Sequence, residues 1–163
     1  MSKLIKNGQI VADEWKTVIV AEGDTPHSVK LPVGPALVPL PVWNVRRAEL
    51  IRREYDHGWP LGVWLAAEED PESIRRDIDD FTVIAVEFDR YDDGKSYSTA
   101  RLLRERYGFN GELRAIGDVP DDTLAYQQVG FNAFVVRAGQ KAGAILSDFL
   151  DFSAARQPEA VVA

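Results

Sequence analysis

Ionisable side chains sit where strands are expected to end. Glu87 and Asp89 close the apolar run "TVIAVEF", Asp118 closes "ELRAIG", and Arg137 follows "NAFVV". In parallel βα folds, functional groups gather at the carboxyl ends of the strands. That placement suits acid–base work by Glu87 and Asp118, and capture of an anion by Arg137. Arg114 lies inside a strand-like segment, where a charge needs a partner. Alternation puts Val83, Ala85 and Glu87 on one side of the neighbouring strand, so Glu87 and Arg114 are expected to meet as an inward pair. Tyr97 and Ser98 open a helix nearby, where free N–H groups favour a negative ligand. Each residue also has an ordinary role. Ser96 or Ser98 can cap a helix, Asp92, Asp93 and Gly94 suit a loop, and a Glu87–Arg114 pair can serve packing alone.

Several chemistries are removed by composition. There is no cysteine, which excludes disulfides, thiolate nucleophiles and cysteine-held metal centres. With only His27 and His57, no histidine metal site is expected. "DDGKSYS" contains no phosphate-loop pattern and no GxGxxG follows a strand, so no nucleotide cofactor is expected. The net charge of −7 over 163 residues argues against a nucleic-acid partner. The chain contains no 18-residue apolar run and opens without an apolar signal core, so the expectation is a cytoplasmic protein with no membrane partner. Arg46, Arg47 and Arg53 lie on one side of an expected helix, as a solvated face or as a docking surface for an acidic protein.

The elements that must position these groups fall into two parts. Residues 1–42 read as a β-rich extension, with "QIVADEW", "KTVIVA" and "ALVPLPVW" separated by turn residues. Prolines 32, 35, 39 and 41 argue against a helix there. Residues 43–152 open with a helix that Asn44 can cap and Gly58 can end. Strands near 62–66, 82–88, 112–117 and 133–136 then alternate with helices. Asp70 and Pro71 suit the start of the first of these, Gly108 and Gly130 the ends of the second and third, and Ile145, Phe149 and Phe152 one side of the last. The fold class is α/β, with four consecutive βα units of parallel strands resembling half of a (βα)8 barrel; an open doubly wound sheet is the alternative. The four tryptophans and Tyr126 are expected to pack, and residues 153–163 to form a flexible tail. Half a barrel leaves open edges, which the extension or a second copy would cover.

The stretch "IAVEFDRYDDGKSYSTARLLRERYGFNGELRAIGDVPDDTLAYQQVGFNAFVV" resembles the bacterial DUF934 family, a likeness that extends from about Leu37 to Phe152. The family pattern covers Asp93, Gly94, Tyr97, Ser98, Arg101, Arg104, Arg114, Gly117, Asp118, Gly130 and Phe131. The chain departs from it at Lys95 and Ser96, at Pro120 and Asp121, at Val129 where relatives carry cysteine, and at Asn132 where they carry aspartate. The resemblance implies a link to sulfur assimilation, because members are typically encoded beside assimilatory sulfite or nitrite reductase, and some are labelled oxidoreductases. The missing cysteine and the missing dinucleotide fingerprint speak against a redox centre in this chain. The functional expectation is therefore an accessory protein of sulfite or nitrite reduction that acts by contact with the reductase. A small enzyme or anion-binding protein using Glu87, Arg114 and Asp118, with Tyr97, Ser98 and Arg137 on the ligand, is the alternative. A purely structural homodimeric subunit is the second alternative.

Overall fold

The computed structural model describes residues 3–92, 94–137, 139–140 and 142–156. In chain order the elements are β1 (Lys3–Lys6), β2 (Gln9–Val11), β3 (Lys16–Thr17), β4 (Ala36–Pro39), α1 (Leu40–His57), β5 (Leu61–Leu65), a 3-10 helix (Pro71–Asp80), β6 (Val83–Phe88), α2 (Lys95–Arg101), β7 (Glu112–Gly117), α3 (Leu124–Val129), β8 (Ala133–Val136) and α4 (Ala142–Arg156). All strands join one eight-stranded sheet in the order β2-β1-β8-β7-β6-β5-β4-β3. Neighbours from β3 to β8 are parallel, whereas β1 runs antiparallel to both β8 and β2. None of the described helices is long and apolar enough to cross a membrane.

The α/β class and the half-barrel shape agree with the sequence, but a description as four βα units does not cover the sheet. The pairing is not parallel throughout, and β1 to β4 of the expected extension belong to the same sheet as the rest. The open edges are β2 and β3, at opposite ends of the order, yet only residues 12–15 separate them. Flat, seven gaps of about 4.8 Å would hold those edges about 34 Å apart. The chain from Val11 to Lys16 can reach at most about 18 Å. The sheet must therefore curl, and residues 12–15 form a strap across its concave side.

The two faces of the curled sheet differ. The convex face carries the helices and the main core, in which Trp43, Ile74, Leu103 and Ile145 pack on Ile84, Phe88, Leu113 and Phe134. The concave face has a smaller cluster of Leu37, Val83 and Ala85, covered by Trp15, Trp64 and Ile116. The strap lies here because Gly62 of β5 has no side chain. A Cβ at Gly62 would come within 2.6 Å of the Leu37 side chain and 2.8 Å of the Trp15 ring. The Trp64 indole N–H donates to the Val18 carbonyl at 2.9 Å, which pins the chain just beyond the strap.

Helix boundaries show where local signals compete. α1 begins at Leu40, before the expected start, because Pro41 falls in the first turn, where a missing N–H costs nothing. Asn44 lies inside it, and the backbone kinks at Arg46 (φ −124°, ψ 23°). Gly58 ends the helix in the left-handed region, donating to Glu54 O at 2.7 Å. Asp70 caps the next helix through the Glu72 N–H at 2.9 Å, but the segment winds as 3-10, burying Pro71, Ile74 and Ile78. α2 widens into a π turn over Leu102–Arg106. Neither Ser96 nor Ser98 caps α2; the Ser96 N–H instead donates to Asp92 Oδ1 at 3.1 Å. α4 runs on to Arg156; the Phe152 side chain and the expected tail from 157 fall outside what is described.

Gly62→Val tests the seat of the strap. It is expected to lower the free energy of unfolding by about 1–3 kcal/mol through overpacking, read by urea denaturation. An unchanged midpoint would mean that Trp15 is not held against β5.

Candidate functional site

On β7, Glu112 and Arg114 are two residues apart and so share the concave face. Register places Arg114 beside Ala85, and Glu87 opposite Ile116. The arginine therefore has the expected side of the sheet but turns away from Glu87. Its Nε donates to Glu112 Oε2 at 2.7 Å, and its Nη1 to both carboxylate oxygens of Asp13, at 3.2 and 3.1 Å. Lys6 Nζ meets the other Glu112 oxygen at 3.2 Å. The expected Glu87–Arg114 pair is thus replaced by a cluster of Lys6, Asp13, Glu112 and Arg114, which joins β1, the strap and β7. Arg114 is only 1 % exposed. A buried cation requires such partners, because desolvation alone would be strongly unfavourable. Glu112 could have been found from its alternation with Arg114. Asp13 lies 101 positions away in sequence, and no local signal connects it.

The strand ends form a second group. Asp118 and Arg137 pair at 2.8 Å, with half-exposed side chains, and Arg137 Nη2 also donates to the Val119 carbonyl at 3.1 Å. Gly117 has φ +83°, and a Cβ there would lie 2.7 Å from the Phe88 carbonyl. This close approach lets the Asp118 N–H donate to Phe88 O at 3.0 Å. Glu87 is half-buried, and its Oε1 accepts from the Ala67 N–H at 3.4 Å. Tyr97 and Ser98 stand apart. They line an outward-facing depression of α2 with Arg101, Leu102, Glu105 and Arg106, while Ser96, Thr99 and Ala100 face the core. Among the described residues, no hydrogen bond or ion pair joins Tyr97 or Ser98 to Glu87, Asp118 or Arg137. Asp93, a position of the family pattern, lies outside the described residues. Tyr126 packs edge-on against Phe88 with ring centres 5.0 Å apart. Burial raises its phenol above the usual tyrosine range, and the charges of Asp92 and Asp122 add to the shift.

The arginines of the expected basic face have separate duties. Arg46 donates to the Val29 carbonyl and bidentately to Glu49, at 3.1 and 2.7 Å. The hydrogen bond from Arg46 holds the Glu49 carboxyl below its usual range. Arg53 donates to the carbonyls of Pro32 and Gly34, and burial lowers its pKa. Arg47 pairs with Asp77 at 2.9 Å and Asp80 at 3.6 Å. Arg46 and Arg53 thus tie the loop before β4 to α1, leaving Arg47 and Arg52 as the more open cations of the helix. No group of three or more potential metal ligands occurs among the described residues.

The sequence model described as "Bacterial protein of unknown function (DUF934)" matches residues 62–163, and the chain belongs to this family. The match begins at β5, so β1 to β4, Lys6, Asp13 and α1 lie before it. No curated protein and no solved structure matches the chain.

Two substitutions separate the buried and exposed ion pairs. Arg114→Met is expected to cost about 3–5 kcal/mol, because the buried Glu112 loses its closest cation. Adding Glu112→Gln should recover part of that loss. Asp118→Asn is expected to change stability by less than about 1 kcal/mol, since its pair is solvent-screened. Chemical denaturation of the three variants checks the ranking.

Proposed function

We propose that this member of the DUF934 family is an accessory protein of assimilatory sulfite or nitrite reduction, acting by contact with the reductase and without a redox centre of its own. The likeness to proteins encoded beside those reductases supplies the pathway. The absence of cysteine supports the second half, since the thiolate ligands of iron–sulfur centres are not available. In this reading the protein works in the cytoplasm, and the successive parallel strands β4 to β8 with their helices are the βα units of an incomplete barrel.

The observation that carries the contact reading is the outer side of α1. Tyr55 is 88 % exposed, Val45 and Ile51 are exposed with it, and the Arg52 side chain is 82 % exposed. Tyr55 follows Ile51 by four residues, so the two share a helical face. Exposed tyrosine and arginine beside aliphatic residues have the composition of interface anchors. Arg47 adds a cation at the edge of this face. Arg46 and Arg53, expected on the docking surface, are engaged with the chain's own carbonyls and support the helix from behind.

The structural-dimer alternative draws less support. The edge strands β2 and β3 are three and two residues long, and short edges offer a second copy little to pair with.

Tyr55→Ala is expected to weaken binding to the purified reductase by about 30-fold or more, the loss of one interface anchor, with thermal stability unchanged. Titration calorimetry measures the first and melting the second. Growth on sulfite without the protein should be slow and restored by cysteine. Wild-type protein that binds neither reductase, together with normal growth on sulfite, would remove the proposal.

A further inference from the structure

We propose that the hollow between the strap and the concave face binds a small zwitterion, an α-amino acid with an aliphatic side chain. The hollow has a volume of about 270 Å³. That is below the range of drug-sized pockets and suits a small metabolite. It lies on the concave side, away from α1, so it does not depend on the reductase contact.

Arg114 is the group that points to a ligand. Its Nε and Nη1 are satisfied by Glu112 and Asp13, but Nη2 is buried without a hydrogen-bond partner. Buried donors left unpaired are rare in folded chains. An acceptor oxygen entering the hollow would satisfy this one. Lys6 also lines the hollow, and its side chain is 44 % exposed. Its ammonium carries three donors, and Glu112 is its one salt-bridge partner among the described residues. A carboxylate placed between Arg114 Nη2 and Lys6 would accept from both.

The charge of the lining decides against a bare oxyanion. Two cations, Lys6 and Arg114, are outnumbered by Asp13, Glu14 and Glu112. A ligand that brings only negative charge would enter a lining that already has an excess of it. A zwitterion matches both signs, with its carboxylate toward Arg114 and Lys6 and its ammonium toward Asp13 and Glu14. The rest of the wall is Leu4, Val11, Ala12 and Trp15, which favours an aliphatic side chain.

Titration calorimetry of the full chain with L-valine and L-leucine tests the site. At least one is expected to bind with Kd of about 1 mM or tighter. L-leucine methyl ester and N-acetyl-L-leucine, each lacking one of the two charges, should bind about tenfold or more weaker. Lys6→Gln should weaken the amino acid by a similar factor, and the exposed Glu14→Gln should do so through the ammonium, in a chain whose melting is unchanged. The proposal is overturned if neither amino acid binds at about 10 mM. It is equally overturned if the ester and acetyl forms bind as tightly, if inorganic phosphate competes at equal affinity, or if both variants bind like the wild type.

Discussion

Four residues join the two far edges of an eight-stranded sheet, and the rest of the molecule conforms to that span. A flat sheet is too wide for the strap to cross, so curvature follows from chain length before any side chain is considered. The curl separates two environments. The convex side is broad and takes the helices and the large core. The concave side is narrow and holds a small apolar cluster under Trp15 and Trp64. At Gly62 the strap's Trp15 lies where a side chain of β5 would be, and the Lys6, Asp13, Glu112 and Arg114 cluster is where the strap is held electrostatically.

Irregular backbone elsewhere is satisfied by arginine. The carbonyls of Val29, Pro32 and Gly34 lie in a segment without regular pairing, and Arg46 and Arg53 reach them from α1. Arg104 performs the same service from the π turn that follows α2. Its guanidinium donates to the carbonyls of Phe109, Gly111 and Gly130, closing the turns that lead into β7 and β8. Burial lowers its pKa from the usual arginine value, and the planar fork of donors compensates that desolvation. In an acidic chain these cations serve internal order, and Arg104 and Gly130 fit one another closely. Gly130 takes φ +127°, and a Cβ there would meet the Arg104 side chain.

The two candidate groups differ in kind. The Asp118–Arg137 pair stands half in solvent at the strand ends, the usual place for function in parallel folds. The Arg114 cluster sits at the other end of β7, buried, and its geometry depends on the strap. An exposed pair contributes little to stability and can be rearranged by a partner. A buried one resists rearrangement, so any ligand it takes must fit the donors that the fold leaves open.

Much of the local structure was legible from residue order. The apolar runs of β6 and β7, the Asp70 cap and the Gly58 stop all depend on neighbours one to four positions apart. The missing cysteine and the motif likeness that led to the family were equally a matter of sequence. Arg114 could be recognised as a strand cation in need of a partner, and its side of the sheet followed from period two. Which carboxylate it met could not, because Asp13 reaches it only across the curl of the sheet. The same reason separates Tyr97 and Ser98 from Glu87, and turns Arg46 and Arg53 from surface charges into internal donors. Sequence alone determined which segments form strands or helices and which faces are apolar, since those are periodic properties of a short stretch. Only the tertiary structure decided which charges meet, because a four-residue strap closing a wide sheet brings together groups whose separation along the chain carries no signal.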